Sequence, residues 1–216
     1  MTHISNQPAR ARTDLGAGHA AHGNEGIGEG AVRRLGLGLA VGTLCWAIPI
    51  FIWGTDGEGA VGRIIDLTGL LFQLGVFCLL TVQMKTGAIG TSRAAAIALR
   101  VEAVVLGIAS LWSLLHGVLP ASIADDAWLA VMDMTWPLSM LGMFLISVKL
   151  VFAGRWQGPL RWWPLIAESW AVATVPFYLL VSEESARWIG GGHLLIGYTA
   201  LGLIMAARPN LTTAHR

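Results

Sequence analysis

Charged side chains are scarce in this chain of 216 residues. Only 12% of the residues are Asp, Glu, Lys or Arg, whereas a soluble domain carries roughly 25%. Hydrophobic residues make up 55% of the chain, and its mean hydropathy is +0.63. This composition excludes a water-soluble globular fold. The 14 basic residues nearly balance the 13 acidic ones, so the chain lacks the basic surface that a nucleic-acid-binding protein needs.

Cysteine is nearly absent as well. Cys45 and Cys78 both lie within long apolar runs, and neither belongs to a Cys-x-x-Cys motif, which excludes a disulfide framework and offers no redox or zinc motif. The only lysines, Lys85 and Lys149, stand near the ends of apolar runs. A retinal Schiff base in the middle of a membrane is therefore disfavoured. The His-Glu-x-x-His pattern of metalloproteases is also missing.

Residues 1–32 are rich in Gly, Ala, His, Asn and Arg and show no apolar periodicity. Such a segment buries too little apolar surface to offset the entropy of ordering it, so we predict a disordered cytoplasmic N-terminal tail. It lacks the contiguous apolar run of a secretory signal peptide, and we expect the first apolar stretch to anchor the protein instead. A membrane domain over 33–208 and a short cytoplasmic tail over 209–216 complete the predicted organisation.

Crossing a hydrocarbon core of roughly 30 Å takes about 20 apolar helical residues. Six stretches of the chain meet this requirement: 35–53, 62–84, 96–119, 127–151, 162–182 and 188–207. They are continuously apolar instead of alternating with a period of two, which favours helices over membrane strands. We therefore predict an all-α fold, a polytopic transmembrane bundle of six helices.

Basic residues are concentrated on one side of the predicted helices. That side carries Arg33, Arg34, Lys85, Arg93, Arg100, Lys149, Arg155, Arg161, Arg208 and Arg216. Arg63 and Arg187 fall on the other side, where the acidic residues of the turns are found. The positive-inside rule then predicts a multi-pass protein of the plasma membrane with both termini in the cytoplasm.

Tryptophans are frequent at the ends of the predicted helices, where an indole suits the headgroup region. Those at helix ends are Trp53, Trp128, Trp156, Trp162, Trp163 and Trp188.

Four ionisable residues share one predicted depth, on the order of 6 to 10 Å below the external boundary at about 1.5 Å of rise per residue. They are Asp66, His116, Asp133 and His193. If their helices face one another, they form an outward polar cavity suited to a divalent metal or a proton relay. The two histidines could also serve as the axial ligands of a haem. The simpler interpretation is that the aspartates complement helix dipoles and the histidines are hydrated near the interface.

Two acids, Glu102 and Glu168, lie in the cytoplasmic half of their predicted helices. In one interpretation Glu102 forms an interhelical salt bridge, with Arg100 extending to the interface. In the other, the acids are carboxylic acids kept neutral by apolar surroundings, and they protonate a hydrophobic substrate.

Two segments of the chain carry a resemblance to known proteins. The first contains Arg100-Val101-Glu102-Ala103-Val104; the second contains Leu141-Gly142-Met143 and Gly154-Arg155-Trp156-Gln157-Gly158-Pro159-Leu160-Arg161. With these segments the chain resembles a broad group of functionally uncharacterised six-helix bacterial integral membrane proteins. The resemblance implies the six-helix topology and implies no activity.

Three functions are compatible with this pattern. The first is a non-catalytic membrane protein that binds a small ligand, such as a lipid or isoprenoid, or serves as an accessory subunit. The second is an intramembrane enzyme that acts on a lipid or isoprenoid, by acid-initiated cyclisation at Glu102 and Glu168 or by metal-assisted hydrolysis at the outward residues. The third is a proton-coupled carrier, for which the sequence shows no inverted repeat.

Overall fold

The computed structural model describes residues 27–54, 57–124, 126–180 and 182–213. Its helices are α1 Glu29–Trp53, α2 Gly59–Thr86, α3 Arg93–Val118, α4 Ala121–Ala124, α5 Ala127–Asp133, α6 Thr135–Ala153, α7 Pro159–Glu168, α8 Trp170–Leu180, α9 Glu183–Leu194 and α10 Ala200–Ala207. A π-helical turn, Leu195–Thr199, joins α9 to α10, and a 3-10 turn, Pro209–Thr212, follows α10. These ranges contain no strand, so the predicted all-α class is confirmed for them.

Five segments of the described chain are long and apolar enough to cross a membrane. They are Glu29–Trp53, Gly59–Thr86, Arg93–Val118, Ala127–Ala153 and Arg187–Ala207, with mean hydropathies between 1.5 and 2.1. The prediction of several apolar, membrane-capable helices is thereby confirmed.

The remaining predicted stretch, 162–182, falls on α7 and α8, which meet at Ser169. Helical hydrogen bonds continue through this joint, because Ser169 N donates to Leu165 O at 3.1 Å and Ala173 N donates to Ser169 O at 2.9 Å. The hydroxyl group of Ser169 donates to Ile166 O at 2.8 Å. Local side-chain bonds of this kind often bend helices. The segment 159–180 is thus one helix interrupted at a single residue.

Proline accounts for a similar joint between α5 and α6. Pro137 has no N–H to donate to the carbonyl of Asp133, four residues earlier, and its ring crowds that carbonyl. Accordingly α5 ends at Asp133 and α6 begins at Thr135. The joint divides the long apolar segment Ala127–Ala153 without ending it.

Glycines let α1 lie close to two other helices. A Cβ on Gly36 would meet the backbone of Gly202 in α10, and a Cβ on Gly42 would meet the backbone of Leu71 and Gly75 in α2. Membrane helices associate through such close approach of small residues, because lipid tails are as apolar as the side chains.

The helices enclose their interior as a ring. Along this ring α1 packs on α2, α2 on α3, α3 on α6, α6 on α7, α7 on the π-helical turn and α10, and α10 on α1. The enclosed core is a continuous hydrophobic cluster. Its fully buried members include Leu39, Leu79, Leu150, Leu160 and Leu201, each from a different helix of the ring.

The described chain includes parts of both predicted tails. Residues 1–26 and 214–216 lie outside the described residues. Helix α1 begins at Glu29, so the last residues of the predicted N-terminal tail are helical. Near the other end, Gln157 N donates to Leu211 O at 2.9 Å. The 3-10 turn therefore packs against the connection between α6 and α7.

Candidate functional site

Five buried polar side chains meet inside the ring, and we call them the inner polar cluster: Gln73 of α2, Glu102 of α3, Ser139 of α6, Glu168 of α7 and Tyr198 of the π-helical turn. Each is at most 4% exposed. Glu102 is hydrogen-bonded to Ser139, and the other four side chains line one internal cavity. Five separate helical segments therefore contribute one polar group each to the centre of the bundle.

Helix α6 holds the carboxyl group of Glu102. Ser139 donates its hydroxyl to Glu102 Oε1 at 2.5 Å. Gly142, almost one turn further along α6, leaves the space that Glu102 Oε2 occupies, since a Cβ there would overlap this oxygen. The interhelical salt bridge expected for Glu102 is not formed in the described structure: Arg100 is exposed, and no basic nitrogen of the described residues lies within 4 Å of the Glu102 carboxyl group.

Glu168 is the last residue of α7 and faces the interior from beside the Ser169 joint. Tyr198 donates its hydroxyl to Glu168 Oε2 at 2.5 Å. Tyr198 stands within the π-helical turn, a helix irregularity that is frequent at functional sites. The second oxygen, Oε1, is buried and has no hydrogen-bond partner in the described structure.

The two carboxyl groups are close enough for their charges to interact. Among the described residues, Tyr198 is the titratable group hydrogen-bonded to Glu168, and Glu102 acts on it through its charge. No Lys, Arg or His nitrogen in the described ranges lies within 4 Å of either carboxyl group. A buried carboxylate without a cation costs several kcal/mol, so each of the two acids requires a proton or another cation to neutralise it.

The cavity between these side chains has a volume of about 20 Å³. That is room for a single water molecule. Aromatic rings form much of its wall: Phe72 stacks on Trp46 with 4.9 Å between ring centroids, and it meets Tyr198 edge-on at 5.0 Å. Trp136 also lines the cavity.

Gln73 connects the inner polar cluster to Ser113, a further buried residue of α3. Its Nε2 donates to the hydroxyl oxygen of Ser113 at 3.0 Å, while its Oε1 is buried with no partner in the described structure. Ser113 is itself only 2% exposed. An amide and a hydroxyl group in the core are thus joined to each other across the α2–α3 interface.

A second polar site, the outer pair, consists of Asp66 and His116, near the beginning of α2 and the end of α3. His116 Nδ1 and Asp66 Oδ2 are 2.7 Å apart. The indole of Trp112 stacks on the imidazole with 4.9 Å between centroids. All three residues line a surface cavity of about 450 Å³, and a neighbouring cavity of about 270 Å³ adds Arg63 to the outer pair.

Of the two other residues predicted for the outward site, Asp133 lies close enough to interact electrostatically with both members of the outer pair. His193 lies elsewhere, on α9, which packs against α1 and α8. Its Nε2 is 3.1 Å from the hydroxyl oxygen of Ser169. In the part of the chain that the structure describes, no three His, Cys, Asp or Glu side chains lie together as ligands of one metal ion would.

Sequence reasoning selected ionisable residues and passed over the neutral partners Gln73, Ser139 and Tyr198. A signal for two of them was present. Gln73 interrupts an apolar run in mid-helix. Tyr198 lies in the middle of the predicted stretch 188–207, whereas tyrosines usually gather at the ends of such stretches, near the membrane interface. Ser139 carried no such signal, because serine is common in membrane helices.

Comparison of the chain with known protein families, with characterised proteins and with solved structures finds no match.

Proposed function

We propose that this protein is a membrane carrier of protons whose inner polar cluster binds the proton in the middle of the bilayer. The observation that carries the proposal is the presence of two buried carboxyl groups inside the ring, Glu102 and Glu168, with hydroxyl groups as their described hydrogen-bond partners and no described basic nitrogen within 4 Å. One proton on each carboxyl group neutralises both acids. Acids deep in membrane bundles form proton relays in pumps and transporters.

Helix irregularities beside the cluster support a carrier. Glu168 directly precedes the Ser169 joint, Tyr198 lies in the π-helical turn, and Ser139 follows the joint between α5 and α6. In transporters, interrupted helices supply the substrate and ion sites near the middle of the membrane. The joints are also where segments of a bundle can move against each other.

The size of the inner cavity favours a proton over a larger substrate. A small-molecule site has a volume of roughly 300–1,000 Å³, whereas this cavity has about 20 Å³. An enzyme that cyclised an isoprenoid at Glu102 and Glu168 would need the larger space. Proton binding needs only a connection to bulk water.

The outer cavity supports a second candidate function, the binding of a small polar ligand without catalysis. Its volume of about 450 Å³ falls in the range of ligand sites, and it combines Trp112 with the charged outer pair. A ligand of this site should raise the unfolding temperature of the wild-type protein and have no effect on Asp66→Asn. A compound library screened by thermal shift tests this, and an equal shift in both proteins would exclude the site.

The topology that we propose has six transmembrane helices, with the interrupted helix 159–180 as the fifth, and both termini in the cytoplasm of a plasma-membrane protein. The charge bias and the length of 159–180 support it. With Cys45 and Cys78 replaced by serine, a membrane-impermeant thiol reagent added to intact cells should label Glu58→Cys and spare Arg155→Cys. Labelling of Arg155→Cys alone would reverse the orientation.

The carrier proposal is tested by infrared difference spectroscopy of the protein in lipid vesicles, recorded between alkaline and acidic pH. We expect carbonyl bands of buried carboxylic acids, one lost in Glu102→Gln and one lost in Glu168→Gln. The matched control is Glu184→Gln, since Glu184 is 78% exposed and remote from the cluster. In vesicles with a trapped pH dye, an imposed membrane potential should drive proton entry that Glu168→Gln abolishes.

Two results would contradict the carrier. Carboxyl bands that neither substitution removes would show that the buried acids do not titrate. Bands that titrate while proton entry stays at the level of protein-free vesicles, at every potential, would leave proton binding without transport.

A further inference from the structure

We propose that the inner cavity is the binding site of one water molecule, neutral or carrying the proton, which bridges Gln73 to Glu168, and that the proton arrives there from the outer pair along the α2–α3 interface. This inference rests on the proposed function, because it specifies how Glu168 is protonated. It adds a ligand site and a side of entry.

Two orphaned acceptors define the water site. Gln73 Oε1 and Glu168 Oε1 are buried without a hydrogen-bond partner in the described structure, and both residues line the same cavity. Their side chains are 1% and 2% exposed. Leaving a buried acceptor unpaired costs about 1–3 kcal/mol, and two acceptors around one space call for a guest with two donor hydrogens. Water and hydronium both have them.

The dimensions of the cavity agree with that guest. Its volume of about 20 Å³ exceeds the roughly 10–15 Å³ that one water needs. Ser139 and Tyr198 also line it, and their hydroxyl oxygens keep lone pairs after donating to Glu102 and Glu168. A bound water donates one hydrogen to Gln73 Oε1 and one to Glu168 Oε1, which gives it the minimum of two polar partners that a buried water needs, and a hydronium ion has a third hydrogen for one of the hydroxyl oxygens.

A line of polar groups leads from this site toward the outer pair. Gln73 Nε2 donates to Ser113 Oγ at 3.0 Å. Asp66 lies seven residues before Gln73 on α2, and His116 lies three residues after Ser113 on α3, so each pair shares one face of its helix. The outer pair in turn lines the surface cavity of about 450 Å³.

One proton moves along this line, from bulk water to the carboxyl group of Glu168. A proton from bulk water enters at His116, whose Nδ1 faces Asp66 Oδ2 at 2.7 Å. In this proposal, water between α2 and α3 carries it from the outer pair to the bridging molecule. The hydronium then breaks one O–H bond, and Glu168 Oε1 forms one. Gln73 holds the bridging molecule in place and takes no proton itself, which makes it a positioning residue.

The test follows the rate at which Glu168 is protonated after a rapid drop in pH, using its infrared band in the full-length protein in detergent. Gln73→Met keeps the length of the side chain and removes the amide. We expect it to slow protonation by roughly tenfold or more, the effect of one lost hydrogen bond on a barrier, and to leave the final amplitude unchanged. A water band that shifts in heavy-oxygen water should also disappear in Gln73→Met.

Gln83→Met is the matched control. Gln83 lies on the same helix, its side chain is fully buried with no hydrogen-bond partner in the described structure, and it does not line the cavity. Its substitution should leave the rate unchanged. His116→Ala should slow protonation as Gln73→Met does, because the proton enters at the outer pair.

The outcomes separate this inference from the proposed function. Absence of a Glu168 band at every pH overturns both. A normal band with wild-type rates in Gln73→Met and His116→Ala overturns the entry path alone. If Gln73→Met does not fold, Ser113→Ala interrupts the same line and the same comparison decides. A band that sodium suppresses and choline does not would identify the guest as a metal cation and overturn the water site.

Discussion

The hydroxyl group of Tyr198 and the carboxyl group of Glu168 meet at 2.5 Å across two irregular helical segments. The first segment is interrupted at Ser169, and the second contains the π-helical turn. A π-helical turn inserts an extra residue into the helical repeat, which turns the following side chains to a different face. The irregularity therefore helps to aim the phenol at an acid on a neighbouring helix.

Removal of this hydroxyl group should destabilise the protein. Tyr198→Phe keeps the ring that packs on Phe72 at 5.0 Å and leaves Glu168 Oε2 without its donor. We expect a loss of about 1–3 kcal/mol in the free energy of unfolding, measured by denaturant unfolding in mild detergent. Thr174→Val is the control, since the buried hydroxyl of Thr174 has no described partner. Equal losses in both variants would contradict a role for the hydrogen bond.

A methyl group on Gly142 should displace Glu102. The added Cβ would overlap Glu102 Oε2, and we expect Gly142→Ala to cost about 1–3 kcal/mol, as overpacking does, and to shift the carboxyl band of Glu102. The same change at Gly107 meets only Phe77 Cζ at 3.9 Å and should be tolerated. Combining Gly142→Ala with Glu102→Ala should recover most of the lost stability; if it does not, the two groups do not compete for the space.

The sequence alone predicts where the helices lie along the chain and how deep a residue lies along its helix, because apolar runs and the rise per residue contain that information. Continuous apolar runs predicted the five membrane-capable segments of the described chain within three residues of their bounds, except that α1 begins six residues earlier than expected. The rise per residue places His116 and His193 at one depth, but depth contains no information on which helices are neighbours. The structure puts His116 beside Asp66 and His193 beside Ser169.

Besides the choice of neighbouring helices, the sequence does not reveal how each helix is rotated about its axis. Glu102 faces Ser139 and no described basic residue because α3 presents that side to α6, and packing across the whole ring sets this rotation. Trp156 is a similar case. Its position near a helix end suggested an interfacial indole, but it is fully buried, and its Nε1 donates to Thr86 Oγ1 at 3.0 Å.

The outer pair should show measurable energetic coupling. Asp66 and His116 are in direct contact at 2.7 Å, with side chains 15% and 35% exposed. A double-mutant cycle with Asp66→Ala and His116→Ala should give an interaction energy of about 0.5–3 kcal/mol in unfolding measurements. The reference cycle uses Glu184 and Arg187, which lie 3.8 Å apart at the surface and should couple by at most about 1 kcal/mol. Additive effects at Asp66 and His116 would mean that the contact contributes nothing to stability.

Close packing between α1 and α10 should make Gly202 intolerant of any side chain. A Cβ there would meet Gly36 O and Ala40 N, which are backbone atoms that cannot rotate away. We expect Gly202→Ala to separate the two helices and to lower the unfolding temperature sharply, while Gly192→Ala, with no atom within 4 Å of the new Cβ, should be neutral or raise stability by about 0.5–1 kcal/mol. The measurement is thermal unfolding of the three proteins side by side in the same detergent.

Because α10 continues from the π-helical turn, Gly202→Ala should also weaken the bond between Tyr198 and Glu168, seen as a shift of the Glu168 carboxyl band. A destabilised protein with an unchanged band would show that the helix contact and the inner polar cluster are independent.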